Sequence, residues 1–142
     1  MKHIFIVNPA AGKSDRTAEY REMIDAAFAP RGLSYELLVS NAPGECRTLA
    51  RQAAQSGEEV RLYACGGDGT LNEVVNGVVG YGNAAVTHFP GGSGNDFIKI
   101  FSDPAAFRSL PRLLDAEEAT FDLIRCNGQN YAVNICSMGF DA

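Results

Sequence analysis

Three stretches of this chain repeat one spacing. Tyr20, Met23, Ile24, Ala27 and Phe28 fall at i, i+3, i+4, i+7 and i+8, as do Cys46, Leu49, Ala50, Ala53 and Ala54, and again Leu71, Val74, Val75, Val78 and Val79. That spacing puts each set on one stripe of an α-helix. Short strand-like runs surround the stripes: His3 to Val7, Ser34 to Val39, Val60 to Cys65, and Ala84 to Phe89. The first and third are apolar almost throughout, the pattern of strands covered on both faces. Strand, helix, strand, helix, strand, helix, strand is the order of a parallel sheet with helices packed on its faces. The expected architecture is a doubly wound α/β domain, its sheet mostly parallel and helices on both faces. A short helix is expected around Pro104 to Leu114. Two further strands, Thr120 to Cys126 and Tyr131 to Cys136, should form a hairpin with Asn127-Gly128 as its turn.

Composition narrows the class. At 142 residues the chain can hold one domain with its own core. With 46% hydrophobic and 20% charged residues it is neither a disordered, a collagen-like nor a disulfide-scaffold sequence. Twelve Lys and Arg against seventeen Asp and Glu give a net charge of -5, with no basic cluster, which argues against a nucleic-acid partner. Apolar runs such as Ile4 to Val7 fall far short of the roughly 18 residues of a membrane span, so any membrane contact is expected to be peripheral. The run behind Met1-Lys2-His3 is too short for a secretion signal, and a cytoplasmic location is expected. Cys46, Cys65, Cys126 and Cys136 lack C-x-x-C spacing and are expected to be reduced, buried small hydrophobes. The chain stops at Gly139-Phe140-Asp141-Ala142, directly after an expected strand, as an excised fragment would.

Nine of the fifteen glycines fall between Gly66 and Gly94, so that region is expected to require bare backbone. Gly66, Gly67, Asp68, Gly69 and Thr70 follow the third strand and open a helix expected to begin at Leu71. Amides exposed at a helix N-terminus form an anion site, and phosphate is the usual anion. The plainer alternative is a tight turn that only needs glycine φ angles; three glycines around one acid favour the phosphate. Asn8-Pro9-Ala10-Ala11-Gly12 follows the first strand, and Pro90-Gly91-Gly92-Ser93-Gly94-Asn95-Asp96 the fourth. In a parallel sheet all three turns share the carboxyl edge, where ligands of open α/β folds bind. A substituent at Gly69 is expected both to block phosphate and to force an unfavourable φ.

The familiar nucleotide motifs fail. Gly12-Lys13-Ser14 ends like a Walker A sequence, but Val7 stands where that motif requires glycine, so Lys13 reads as a solvated residue. Gly67-Asp68-Gly69 would need glycine at position 72 for a dinucleotide fingerprint, and Asn72 is there. Asp68 sets the chemistry. A carboxylate inside a phosphate cradle is repulsive unless a metal ion or a transferable proton lies between them. Nucleotide-bound Mg²⁺ would supply the first and a substrate hydroxyl the second. Asp96 and Asp122 are candidates to join Asp68, each with a helix cap or surface acid as the plainer role. Asn72 and Glu73 are residues that a first helical turn favours in any case. His3 and His88 show no Ser/His/Asp arrangement and read as structural.

Taken together, Asn8-Pro9-Ala10-Ala11-Gly12, Gly66-Gly67-Asp68-Gly69-Thr70-Leu71-Asn72-Glu73-Val74-Val75-Asn76-Gly77 and the P-x-G-[ST]-x-N-D-F run from Pro90 to Phe97 resemble the catalytic domain of the diacylglycerol kinase and sphingosine kinase family, in its bacterial lipid kinase branch. Asp122, Asn134, Gly139, Asp141 and Ala142 fit later positions of the same pattern. The G-G-D-G-T element alone is shared with NAD kinases and phosphofructokinases. Ser40 and Ser93 stand where threonine is commoner.

The resemblance implies ATP- and Mg²⁺-dependent phosphorylation of a lipid hydroxyl, diacylglycerol or a relative of it, at a membrane surface. Carried over by position, Asn8, Pro9, Ala10, Ala11, Gly12, Ser40, the segment Gly66 to Glu73, Ser93, Gly94 and Asn95 would line the ATP site. Asp68, the catalytic candidate, would join Asp96 and Asp122 in a carboxylate and water network around Mg²⁺. Family members carry a second, β-rich domain that covers the lipid pocket and in the bacterial branch supplies a carboxylate proposed as general base. This chain ends where that domain would begin. Residues 1–142 are therefore expected to be the nucleotide-binding domain, inactive alone and able to self-associate through the uncovered apolar face. An NAD kinase-like phosphotransferase and a nucleotide-sensing module without catalysis are the alternatives.

Overall fold

In the computed structural model, which describes residues 1–90, 95, 97–120, 122–126 and 130–132, four strands pair in parallel. They are β1 (Lys2–Val7), β2 (Glu36–Val39), β3 (Val60–Gly66) and β4 (Ala84–Pro90), in the order β2-β1-β3-β4. The register runs Val7 beside Val39 and Cys65, and Gly66 beside Pro90. Helices α1 (Thr17–Phe28), α2 (Glu45–Gln55) and α3 (Asp68–Val78) make the three crossovers. β1 and β3 are neighbours, while the chain leaves β1 toward β2 and returns across it to reach β3. The carboxyl ends of β1 and β3 therefore flank the point where the winding reverses, which is where open α/β sheets form a crevice.

Strand alternation divides the core into two layers. Phe5, Val7, Tyr63, Cys65 and Phe89 face α1, where Tyr20, Ile24 and Phe28 meet them. Ile4, Ile6, Leu62 and Ala64 face α2 and α3, where Cys46, Ala50, Leu71 and Val74 meet them. Phe5 stacks on Tyr63 with ring centroids 4.2 Å apart, a pair contributing about 1 kcal/mol beyond its buried area. Met23 departs from its stripe and is 37% exposed. His3 is structural, as expected: its Nδ1 shares a hydrogen bond with the Tyr63 hydroxyl at 2.9 Å, and its ring meets the Phe28 edge. Cys46 and Cys65 are free and buried.

Several boundaries shift from the sequence expectation. β2 omits Ser34 and Tyr35. Residues Pro104–Arg108 form a 3-10 turn, and only Leu110–Leu114 is α-helix, named α4. The hairpin is present as an antiparallel pair, β5 (Ile124–Cys126) and β6 (Asn130–Ala132), which stands apart from the main sheet; β5 begins later than the expected Thr120, and residues 133–136 of the second expected strand lie outside the described residues. Asp122 precedes β5 in irregular, exposed chain. The expected turn Asn127-Gly128 lies outside the described residues, as does Cys136. No helix among the described residues is long and apolar enough to cross a membrane.

Candidate functional site

Each parallel strand delivers its following turn to the same edge. After β1, the Ala10 N–H donates to Asn8 Oδ1 at 3.0 Å and the Ala11 N–H to the Asn8 carbonyl at 3.1 Å, closing a tight turn that ends with Gly12 at φ 83°. The Asn8 N–H reaches the Cys65 carbonyl at 3.3 Å, so the β1 turn is tied to the end of β3. After β2, the Ser40 N–H bonds the Val7 carbonyl at 2.9 Å. Ser40 is buried, with its hydroxyl beside the Cys46 thiol, whose pKa burial raises despite that hydrogen bond.

The β3 turn is shorter than the sequence suggested. Gly66 is the last residue of β3, Gly67 is an extended N-cap, and α3 begins at Asp68 rather than at Leu71. The Leu71 N–H closes the first helical bond on the Gly67 carbonyl at 3.2 Å. The amides of Asp68, Gly69 and Thr70 consequently have no partner within the helix, and the positive end of the helix dipole stands behind them.

The glycines of this region have different reasons. A Cβ on Gly66 would overlap the Thr70 hydroxyl and stand 2.8 Å from the Thr70 Cβ, so Gly66 and the buried Thr70 close-pack the turn. A Cβ on Gly77 would overlap the Arg47 carbonyl and stand 2.8 Å from the Ala50 Cβ, so that glycine lets α3 approach α2. Around Gly69 there is open space, and its φ is not in the left-handed region. The expectation that a substituent at Gly69 forces an unfavourable φ is thereby corrected: its surroundings, not its backbone, leave room for a ligand.

Asp68 is half-buried at the first position of α3. Glu73, one turn on, has Oε1 buried with no hydrogen-bond partner among the described residues. Asn72 gives its carbonyl to Asn76 at 2.7 Å, and Leu71 packs into the core. Lys13 is exposed. Asn95, in the β4 turn, is buried at φ 52°. Gly91, Gly92, Ser93, Gly94 and Asp96 of that turn lie outside the described residues, as do Asn134, Gly139, Asp141 and Ala142. Among the described residues no three of His, Cys, Asp or Glu converge to hold a metal ion; Asp96, the third carboxylate of the expected set, is not one of them.

Two buried polar side chains have contacts that the sequence did not specify: His88, expected only to be structural, and Asn76, which had no separate role. His88 on β4 donates from Nε2 to the Gly66 carbonyl at 2.8 Å, directly under the turn. Asn76 on α3 binds the backbone of Tyr131. The residues present fit an anionic group with an attendant cation. The amides of Asp68, Gly69 and Thr70, without partners in the helix, suit phosphate oxygens, and the half-buried Asp68 carboxylate suits a hydrated Mg²⁺ beside them.

Fold and turns together define an α/β domain with a glycine-lined helix N-terminus at the winding reversal. Residues 2–136 match the diacylglycerol kinase catalytic domain. The chain belongs to that family. It is 34% identical over 105 residues to the Bacillus subtilis (strain 168) protein named "Putative lipid kinase YtlR", an alignment covering 72% of this chain and 34% of that protein. It is 36% identical over 80 residues to "Putative lipid kinase SA0681" of Staphylococcus aureus (strain N315), covering 55% of this chain and 26% of the relative. A solved structure described as "A putative diacylglycerol kinase from Bacillus anthracis str. Sterne" superposes with a TM-score of 0.68 at 26% identity, covering 90% of this chain and 46% of that one. The chain thus spans about a quarter to a third of the length of the curated relatives and somewhat under half of the solved structure.

Proposed function

We propose that this chain is the nucleotide-binding domain of an ATP-dependent lipid kinase. The observation that carries the reading is the opening of α3 at the β1/β3 crevice, with three amides free of the helix and open space at Gly69. Bound Mg-ATP would supply the phosphoryl group to be transferred and a cation to offset its charge. The amides of Asp68, Gly69 and Thr70 would hold phosphate oxygens, and the Asn8–Gly12 turn would close the opposite wall. The Asp68 carboxylate would orient the cation's water shell, so catalysis would rest on positioning and charge neutralisation. Asp96 and Asp122 are proposed to complete that shell. Family membership and the names of the relatives support a lipid hydroxyl as acceptor, with diacylglycerol the first substrate to try. The acceptor would be presented at a membrane surface and sheltered by a second domain of the longer protein.

The test is turnover of diacylglycerol by a protein carrying this domain and the second one, with and without Asp68→Asn. That substitution keeps shape and removes charge. A fall of at least about a hundredfold in turnover with unchanged thermal stability is expected. Near-normal turnover would remove Asp68 from the chemistry. Mg-ATP binding with no phosphate transfer to any lipid would instead favour a nucleotide-sensing module.

A further inference from the structure

His88 is 0% exposed near the end of β4, on the same strand face as Ala84 and Val86. Buried polar side chains normally satisfy both of their ends. Here Nε2 has the Gly66 carbonyl at 2.8 Å, whereas no partner reaches Nδ1 among the described residues. A carbonyl only accepts, so Nε2 carries the proton and Nδ1 is a bare buried acceptor. Burial pushes the imidazole below its usual range; Arg108 pushes the same way, while the Gly66 carbonyl and Asp68 oppose. A leucine would fill much of this space with no orphaned acceptor, so core packing alone gives no reason for histidine.

We infer that His88 is a positioning residue for the phosphate turn, its Nε2–H holding the Gly66 carbonyl so that the amides that follow face the carboxyl-edge crevice. The Gly66 carbonyl and the Gly67 N–H belong to one planar trans peptide and point in opposite directions. Anchoring the carbonyl on a fully buried ring therefore turns the Gly67 N–H away from the core. Thr70 supports the same residue from its other side, where no Cβ would fit. Gly67 is the N-cap, so the orientation of this one peptide sets how α3 begins and where the Asp68 and Gly69 amides point. The consequence for nucleotide rests on the phosphate reading proposed above; the hold on the turn does not.

His88→Leu, His88→Gln and His88→Asn separate these. The glutamine amide can reach the carbonyl that Nε2 now reaches, and the asparagine amide is one bond too short. Amide hydrogen exchange at Leu71, whose N–H closes the first helical bond on the Gly67 carbonyl at 3.2 Å, is measured on the ligand-free chain, and Mg-ATP binding by calorimetry on the same samples. For His88→Leu, exchange at least about tenfold faster and binding at least about tenfold weaker are expected, with a melting temperature equal to or above that of the parent. His88→Gln should recover both readouts and His88→Asn neither. Unchanged exchange in His88→Leu would overturn the inference. So would losses that merely follow a fall in melting temperature shared by His88→Gln, or, if His88→Leu does not fold, identical behaviour of the Gln and Asn variants. A parent chain that binds no Mg-ATP while His88→Leu still loosens the turn would contradict the nucleotide reading and leave the positioning role standing.

Discussion

Asn76 grips the backbone of Tyr131 at both ends: its Nδ2 donates to the Tyr131 carbonyl at 2.7 Å, and its Oδ1 accepts from the Tyr131 N–H at 2.7 Å. The side-chain amide thus acts toward β6 as a neighbouring strand would. The second Nδ2 hydrogen goes to the Asn72 carbonyl at 2.7 Å, which holds the side chain against its own helix. Arg47 adds a bond from α2 to Asn130 Oδ1 at 3.0 Å. The helix that opens with Asp68 is in this way joined to the hairpin that follows Asp122.

Asn76→Ala should therefore be costly. It leaves two half-buried strand groups without their Asn76 partner, and an orphaned group costs up to about 1–3 kcal/mol when fully buried. A loss of roughly 2–4 kcal/mol in urea unfolding is expected, together with loss of exchange protection at the Tyr131 amide. A loss below about 0.5 kcal/mol with protection retained would show that β6 is held by other contacts.

Two glycines of α3 should respond in opposite ways to alanine. Alanine favours a helix by about 1 kcal/mol over glycine. At Gly77 that gain is outweighed, since the added carbon would overlap the Arg47 carbonyl, a backbone atom that cannot swing aside; a net loss of about 1–3 kcal/mol is expected. At Gly69 no described atom beyond its own helical turn lies within 4 Å of the added carbon, so Gly69→Ala should keep or raise stability. Thermal melts of the two variants check this ordering.

The fold was legible because it rests on periodicity. The stripe through Ile24 and Phe28 and the apolar run Ile4 to Val7 specify buried faces whichever neighbours they meet. The carboxyl-edge placement of the turns then follows from parallel pairing alone. What was not legible depends on long-range partners. Whether Gly77 is needed for φ or for close approach turns on Arg47, thirty positions away, and only the packed helices show it. The roles of His88 and Asn76 depend likewise on backbone groups at Gly66 and Tyr131, which carry no side-chain signal. The start of α3 was misplaced because Gly67 can take the extended N-cap conformation next to the strand, which lets the helix begin three residues early.

Acid should destabilise the chain through its histidines. Burial holds both His88 and His3 below their usual 6.5. The unfolded chain then takes up protons near pH 6.5 that the folded chain does not, so stability falls as pH drops from about 6.5 toward the folded values. Each proton contributes a slope of at most about 1.4 kcal/mol per pH unit. His88→Leu should flatten that slope in denaturant titrations between about pH 5 and 7, and an unchanged slope would show that His88 does not contribute.

Phosphate at the opening of α3 also ranks two loop substitutions. Lys13 is exposed and outside any Walker-type loop, so Lys13→Ala should weaken Mg-ATP binding no more than about tenfold. Gly69→Val places a branched side chain in the open space of the crevice and should weaken it further while leaving the fold intact. Calorimetric titration of both variants gives the order directly, and the reverse order would move the phosphate to the β1 turn.

The most direct measurement is a titration of the isotope-labelled chain with Mg-ATP, followed through its backbone amide resonances. Phosphate docking between β1 and β3 requires that Gly67, Asp68, Gly69 and Thr70 shift most, that Ala10, Ala11 and Gly12 move with them along the same saturation curve, and that Gly69→Val moves both curves to higher Mg-ATP concentration. Shifts centred on the apolar groove lined by Met23, Ala27, Phe89 and Leu110, with the α3 amides unmoved at saturation, would contradict it.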